Sequence, residues 1–380
     1  MKIVKLGDVA SRLNIKVDQS NTNLEYYIGG EHIESREFMI HNRALIKGST
    51  IGYQFQFGFR KGDILFMTKN PHLRKASMVD FNGLCSIATF VIHSNDETVL
   101  LQDYLLIEMQ TDRFWQYCED HKSGGVNYFI NWGTLAAYEF PLPDLNTQKS
   151  IAAKAWAAYR LKERYRSLIQ ATDELTKSQF IEMFGTLDNH PAEYAVKTLR
   201  DLSECYAGAT PSTKVKEYWD NGHIPWMSSG EVHMEHVTET ESKITESGYQ
   251  QTSTKMVPVH SVVIALAGQG KTRGKVAITE IPLCTNQSLC AIVPSKDIHY
   301  EYLYHNLKVR YLELRGMAGD VNGRGGLNLK IVQSIQVIVP PIDEQMKFVA
   351  IAQQADKSKF ELKKSIEAID KVIKSLINNI

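Results

Sequence analysis

A chain of 380 residues with 43% hydrophobic and 23% charged residues is long enough for two buried cores, and no apolar run approaches the ~18 residues that span a bilayer. Basic and acidic residues balance at 43 each, so a polyanionic partner would have to be met by local clusters rather than by net charge. Five cysteines, an odd number without a CxxC pair, argue against a disulfide framework and a zinc site; with no apolar signal core at the start, the expectation is a reduced, cytoplasmic protein.

The first half opens on Lys5-Leu6-Gly7-Asp8-Val9, followed by a polar stretch to about residue 30. Residues 51–59 are aromatic and alternating, as in a strand, and Gly62-Asp63-Ile64-Leu65-Phe66-Met67 reads as a turn into another. Lys69-Asn70-Pro71-His72-Leu73-Arg74-Lys75 is a basic loop with a proline, and residues 84–93 return as an apolar strand. Leu101, Tyr104, Leu105 and Met109 fall at helical spacing and predict one helix over 98–117. The run Tyr138-x-Phe140-x-Leu142-Pro143 leads into a long helix predicted for 148–184, with Asn146 or Thr147 as N-cap and Gly185 just past its end. Within it, Leu161, Tyr165, Leu168, Thr172 and Leu175 step by four and three, the spacing of a heptad seam. Arg160, Lys162, Arg164 and Arg166 are expected to form an outward basic face.

The second half repeats this order. Leu199-Arg200-Asp201-Leu202 answers to Leu6-Gly7-Asp8-Val9. Residues 258–266 read as a buried strand, 268–274 as a glycine-rich basic turn and 275–279 as the returning strand. Residues 300–314 carry a helical pattern, and 319–326 are glycine-rich. Ile335-x-Val337-x-Val339-Pro340 leads into a second long helix over 344–380, with a seam of Leu362, Ile366, Ile369, Ile373, Leu376 and Ile380. Sliding the first helix by 197 positions lays it on the second: Gln148 meets Gln345, Ala155 meets Ala352 and Asp173 meets Asp370. At ~1.5 Å per residue each helix is roughly 50–60 Å long. Such a helix cannot bury its stripe on itself, so the two copies are expected to pair, antiparallel if the halves are related by a pseudo-two-fold. The expected fold is α+β: two globular α/β pieces, 1–143 and 187–339, separated by a long antiparallel two-helix coiled coil built from 144–186 and 340–380.

Candidate chemistry is sparse. Ala265-Leu266-Ala267-Gly268-Gln269-Gly270-Lys271-Thr272 fits a loose Walker A pattern, but a phosphate loop needs a following helix, and Arg273-Gly274-Lys275-Val276-Ala277-Ile278 reads as a turn and a returning strand. A basic hairpin tip is the better reading. His233-Met234-Glu235-His236 lacks the HExxH spacing of a zinc site and reads as a solvated polar strand edge. Asn70-Pro71 continues with His72, so no Asn-Pro-Pro-aromatic methyltransferase signature is present. The chain is therefore expected to perform no catalysis. What remains is a binding pattern: a basic loop at 69–75 in one half, and 271–275 with Asn322-Gly323-Arg324 in the other. Two such modules held apart by a rigid spacer suit two half-sites on one face of a duplex, about one helical turn (~34 Å) apart.

Several motifs together resemble the specificity (S) subunits of type I restriction–modification systems, over the whole chain. They are Gly208-Ala209-Thr210-Pro211-Ser212, Tyr218-Trp219 and Ile224-Pro225-Trp226-Met227-Ser228; the 268–278 hairpin with Asn286-Gln287; and Gly326-Leu327-Asn328 leading to Pro340-Pro341-Ile342-Asp343-Glu344-Gln345. The first half departs from this pattern. It has Thr147 where the second has Glu344, it lacks the Gly-Thr-Pro-Ser motif, and it is similar instead to members with Gly62-Asp63-Ile64-Leu65 and Asn70-Pro71-His72-Leu73-Arg74-Lys75.

The resemblance implies two target-recognition domains, two helices acting as a ruler, and a bipartite, asymmetric target in double-stranded DNA. It implies as partners two methyltransferase (M) subunits that bind S-adenosylmethionine and methylate adenine, and optionally two restriction (R) subunits that use ATP and Mg. No cofactor would sit in this chain and no membrane is involved. The residues expected to touch DNA are Arg74 and Lys75 in the first module, and Ser228, Ser229, Gln269, Lys271, Arg273 and Arg324 in the second. Arginine and glutamine suit guanine and adenine edges, while serine and lysine suit phosphate. Two other readings stand beside this one: a specificity subunit of a type II-like restriction–modification enzyme, and a P-loop nucleotide-binding protein.

Overall fold

Both halves begin with a strand that pairs with the strand preceding a long helix. Lys2–Lys5 runs antiparallel to Glu139–Leu142, with Val4 opposite Phe140. Ala195–Thr198 does the same with Gln336–Val339, with Lys197 opposite Val337. A one-turn helix follows each first strand, Leu6–Val9 and Leu199–Leu202, burying Leu6, Val9, Leu199 and Leu202. The computed structural model describes residues 2–19, 22–268, 271–317 and 326–380. It divides into two units, Met1–Ser167 with Leu362–Ile380, and Leu168–Glu361.

The first unit has a four-stranded sheet in the order Ala10–Leu13, Thr89–Ser94, Ile64–Met67, Ala76–Met78, and a five-stranded sheet centred on Gly83–Ser86. Helices Gln102–Gln110 and Asp112–Asp120 cover the first sheet through Tyr104, Leu105, Phe114 and Trp115, all fully buried. The single helix expected over 98–117 is thus two. Thr111 is extended (φ −65°, ψ 151°) and its hydroxyl accepts from Phe114 N–H at 3.1 Å, so it ends one helix and caps the next.

The second unit has a five-stranded sheet in the order Ser203–Ala207, Leu289–Pro294, Val262–Ala265, Val276–Thr279, His236–Val237. A four-stranded sheet carries Ile224–Met227 beside Leu283–Thr285. Helix Tyr300–Val309 packs on the first through Tyr302, Leu303 and Leu307. Val262–Ala265 turns directly into antiparallel Val276–Thr279. A strand stands where a phosphate loop requires a helix, which removes the P-loop reading.

The long helices are Leu145–Phe184 and Ile342–Asn378. Asp144, rather than Asn146 or Thr147, caps the first: its carboxylate accepts from the N–H of Asn146 at 2.9 Å and of Thr147 at 3.0 Å. Gly185 ends the helix as expected, at φ +76°, and a Cβ there would come within 2.1 Å of Asn189 O. One residue at the start of each helix does the same work. Gln148 and Gln345 are fully buried. Gln148 accepts from Leu101 N–H (2.9 Å) and donates to Val99 O (2.9 Å) and Pro143 O (2.9 Å). Gln345 accepts from His299 N–H (2.8 Å) and donates to Asp297 O (3.1 Å) and Pro340 O (2.8 Å).

In the first unit, Ala152, Ala155 and Tyr159 of the first long helix pack with Ile373 and Ile377 of the second. In the second unit, Phe180 and Phe184 pack with Phe348, Val349 and Ala352. Early residues of one helix meet late residues of the other, so the paired segments are antiparallel in each unit. The seam expected for the second helix faces inward: Ile369, Ile373 and Ile380 lie against the first unit's core.

The seam expected for the first helix is off by one position. Leu161, Leu168 and Leu175 are exposed, Leu175 by 66%. The inward row is Lys162, Arg166, Ile169 and Thr176, of which Lys162 and Thr176 are buried, while Asp173 is exposed beside it. Lys162 pairs with Asp370 at 2.7 Å in the first unit, and Lys359 pairs with Asp173 at 2.7 Å in the second. Both lysines are buried, 5% and 7% exposed, and each pair is the other moved by one repeat. A buried ammonium is tolerable only with a carboxylate partner. Lys162 also meets buried Glu37 at 2.9 Å, and Arg166 reaches the same carboxylate at 2.8 Å. Of the expected outward basic face, Arg160 and Arg164 point to solvent, while Lys162 and Arg166 turn inward to this acid.

Candidate nucleic-acid interface

The basic loops read from sequence occupy corresponding places in the two units. The hairpin Ile64–Met67/Ala76–Met78 has Thr89–Ser94 on its other side. The hairpin Val262–Ala265/Val276–Thr279 has Leu289–Pro294 there. Loop 68–75 and loop 266–275 are therefore the same connection in two copies.

In the first copy, Pro71–Leu73 forms a tight turn between two left-handed residues, Asn70 (φ 53°) and Arg74 (φ 51°). Non-glycine residues rarely adopt this conformation, and it recurs at functional sites. Arg74 Nη1 lies 3.1 Å from Asp112 Oδ1. Arg36, also left-handed at φ 59°, donates its backbone N–H to Arg74 O at 3.0 Å and its guanidinium to the same carboxylate. Lys75 is half-buried and donates to Gly30 O at 2.6 Å, so it ties its own unit together.

In the second copy, Lys271 is exposed and its carbonyl accepts from the Tyr311 hydroxyl at 2.9 Å. Arg273 is half-buried. Gln269 and Arg324 lie outside the described residues. Ser228 and Ser229 begin the 3-10 turn Ser229–Met234; Ser228 N–H donates to Glu231 Oε2 at 2.6 Å. The far end of that turn and the hairpin tip share a cavity of about 240 Å³, lined by Val232, Glu235, Lys275, Lys308 and Tyr311 among others. Val232 and His233 of the turn thus meet Gly274, Lys275 and Val276 of the hairpin at this cavity, whose lining includes none of Ser228, Ser229, Lys271 and Arg273.

The sequence motifs of this unit also converge. Gly208 sits so close to the strand Leu283–Thr285 that a Cβ would lie 2.1 Å from Thr285 O. Trp226 Nε1 donates to Ala209 O at 3.1 Å, Trp219 Nε1 to Ser212 O at 3.2 Å, and Thr210 hydrogen-bonds to Gln287. The two indoles meet edge to face at 5.1 Å. These residues hold the fold together rather than reaching outward.

His236 is not a solvated edge. Its Nδ1 lies 2.7 Å from Glu280 Oε1 and its Nε2 3.6 Å from Asp356 Oδ2. Asp356 foremost, with help from Glu280 and against partial burial, raises the imidazole pKa to about 9. Burial pushes His305, by contrast, down to about 3. Among the described residues, no group of three or more His, Cys, Asp or Glu could hold a metal ion, and no helix is long and apolar enough to cross a membrane.

Residues 191–370 match the family profile described as "Type I restriction modification DNA specificity domain". The chain is 28% identical over 286 residues to the EcoR124I/EcoR124II specificity subunit of Escherichia coli, covering 73% of this chain and 68% of that one. It is 26% identical to the HindI specificity subunit of Haemophilus influenzae, covering 99% and 98%. Among solved structures, the S subunit of a type I system from M. genitalium is similar at TM-score 0.55 and 16% identity, covering 99% and 94%. A chain from a structure concerned with complex assembly and conformational transition of the type I system is similar at TM-score 0.59 and 18% identity, covering 99% and 96%. At those identities the two structures speak for the fold alone. Residues 191–370 thus match a type I restriction–modification DNA specificity domain, and the chain as a whole is similar to the specificity subunits of type I systems.

Proposed function

We propose that this chain is the sequence-reading subunit of a type I restriction–modification system. It binds a bipartite target in double-stranded DNA and brings methyltransferase and restriction subunits to it, without catalysis of its own. The observation that carries this reading is the duplicated basic hairpin, in the same sheet position in both units. Residues 1–143 and 187–339 act as the two target-recognition domains, each reading one half-site. Residues 144–186 and 340–380 form an antiparallel coiled coil that acts as a ruler; helices of 40 and 37 residues are roughly 55–60 Å long at ~1.5 Å per residue.

Arg74, Lys271 and Arg273 contact DNA from the hairpins, together with Ser228, Ser229, Gln269 and Arg324, and Lys75 acts as a support. Two M subunits carry S-adenosylmethionine, and two R subunits, when present, carry ATP and Mg, in a cytoplasmic complex. The test is to map methylated adenines in the host genome with and without this gene. The expected result is loss of one asymmetric motif with a fixed, degenerate spacer. An unchanged methylation map refutes the reading.

A further inference from the structure

Asp112 stands at the start of helix Asp112–Asp120 and is approached by three cations from three separate parts of the chain. Arg36 and Arg74 both place guanidinium nitrogens on Oδ1, and Lys374 Nζ lies 3.9 Å from Oδ2. Asn378 closes the arrangement: its side-chain oxygen accepts from Asp112 N–H at 2.6 Å and its amide donates to Oδ2 at 3.2 Å. Three cations thus converge on one shared carboxylate, which cannot neutralise them all. All of it is within reach of solvent: the side chains are 29% (Arg36), 37% (Arg74), 65% (Lys374) and 44% (Asp112) exposed.

The geometry is that of a prepared anion site. Arg36 and Arg74 are two of the six non-glycine residues at positive φ among the described residues, and the Arg36 N–H bond to Arg74 O joins their backbones. A strained backbone held on both sides is a cost that a merely solvated arginine does not require. Asp112 spends one nitrogen of each guanidinium and aligns the fork, leaving further donors for a planar oxyanion. Ordering two long side chains beforehand lowers the entropy lost on binding.

We infer that Arg36, Arg74 and Lys374 form a backbone-phosphate clamp for DNA, aligned by Asp112. This rests on the DNA-binding reading above and adds to it a ligand class, the phosphodiester, and two residues that loop composition does not indicate. The clamp positions the duplex and carries no base preference.

The test uses the full-length chain and a fluorescent 30-base-pair duplex of arbitrary sequence, with affinity measured between 50 and 200 mM salt. Lys374→Gln, Arg74→Gln and Arg36→Gln are each expected to lower the slope of log affinity against log salt by roughly 0.9, with roughly fivefold weaker binding near 0.1 M. The same loss should appear on a second, unrelated duplex. Lys149→Gln, an exposed lysine that makes no ion pair with Asp112, should leave the slope unchanged. Lys374 is exposed enough that its substitution leaves the fold intact, so its slope decides even if an arginine variant unfolds. If the wild-type chain binds with a salt-dependent slope and Lys374→Gln matches it, the clamp is overturned while DNA binding stands. If the wild-type chain shows no salt-dependent binding, both fall.

Discussion

Gln345 makes the sharpest stability prediction. The side chain is fully buried and both ends of its amide are spent, on His299 N–H, Asp297 O and Pro340 O. Gln345→Met keeps the length and nearly the volume, so the change isolates the hydrogen bonds. One buried N–H left without an acceptor costs about 1–3 kcal/mol, and two carbonyls losing a donor add to it, giving about 3–5 kcal/mol in all. For a unit of this size that is a fall in Tm of roughly 6–20 °C. Glu344, the neighbour that marks the motif in sequence, is more exposed and pairs with Lys347 at 2.7 Å one turn along. Glu344→Ala should cost under about 0.5 kcal/mol. Gln148→Met should repeat the Gln345 result from the other end. Thermal and urea unfolding followed by circular dichroism measure all three. A Gln345→Met cost under about 1 kcal/mol, or an equal cost for Glu344→Ala, would show that the glutamine is not what anchors the helix.

Three further outcomes are expected. Lys162→Met removes one of two cations from buried Glu37 and the partner of Asp370; a loss of about 2–3 kcal/mol is expected, with a non-additive cycle against Asp370→Asn in urea unfolding. His236 has a folded-state pKa near 9, above the ordinary 6.5, so its contribution is complete below about pH 6.5 and lost as pH rises through about 9. Since the ring is partly exposed, the loss should be about 1 kcal/mol, and His236→Gln should flatten the fall in Tm across that window. Inserting one heptad into each long helix at matched positions should lengthen the methylated motif's spacer and leave its half-sites unchanged; altered half-sites refute the ruler.

The parts legible in sequence are those where local pattern and tertiary environment agree. The second helix's isoleucines sit in an apolar seam, so periodicity finds them. The first helix's leucines do not, because its inward row carries Lys162 and Arg166, each satisfied by a charge far away in sequence. A signal was nevertheless present: Lys162 and Lys359 recur at the same 197-residue spacing as Asp173 and Asp370. The hairpins were legible from turn composition and apolar flanks. Arg36 was not, since only a left-handed turn and a partner on another helix bring it to Arg74. Asp144 does not stand out as a cap in the sequence because Asn146 and Thr147, two and three residues on, are equally good capping types.

The paired lysines and aspartates also bear on why the helices hold one register. An apolar heptad seam alone is nearly degenerate to a slip of seven residues, since knobs re-enter equivalent holes. Here the slip is not neutral. Moved seven residues one way, Lys162 would face Lys363 and Lys359 would face Arg166, two like-charge contacts in place of two ion pairs. Moved the other way, Lys162 would face Ile377 and Lys359 would face Phe180, putting an ammonium against hydrocarbon. The observed register is the one among these three in which both lysines find a carboxylate, and the repeat makes each error occur twice. Burying these charges adds little net stability over an apolar pair, because desolvation offsets most of the attraction. Its effect is on the alternatives, each of which leaves two charges repelled or unpaired, and specifying register is the best-attested role of buried polar groups in paired helices.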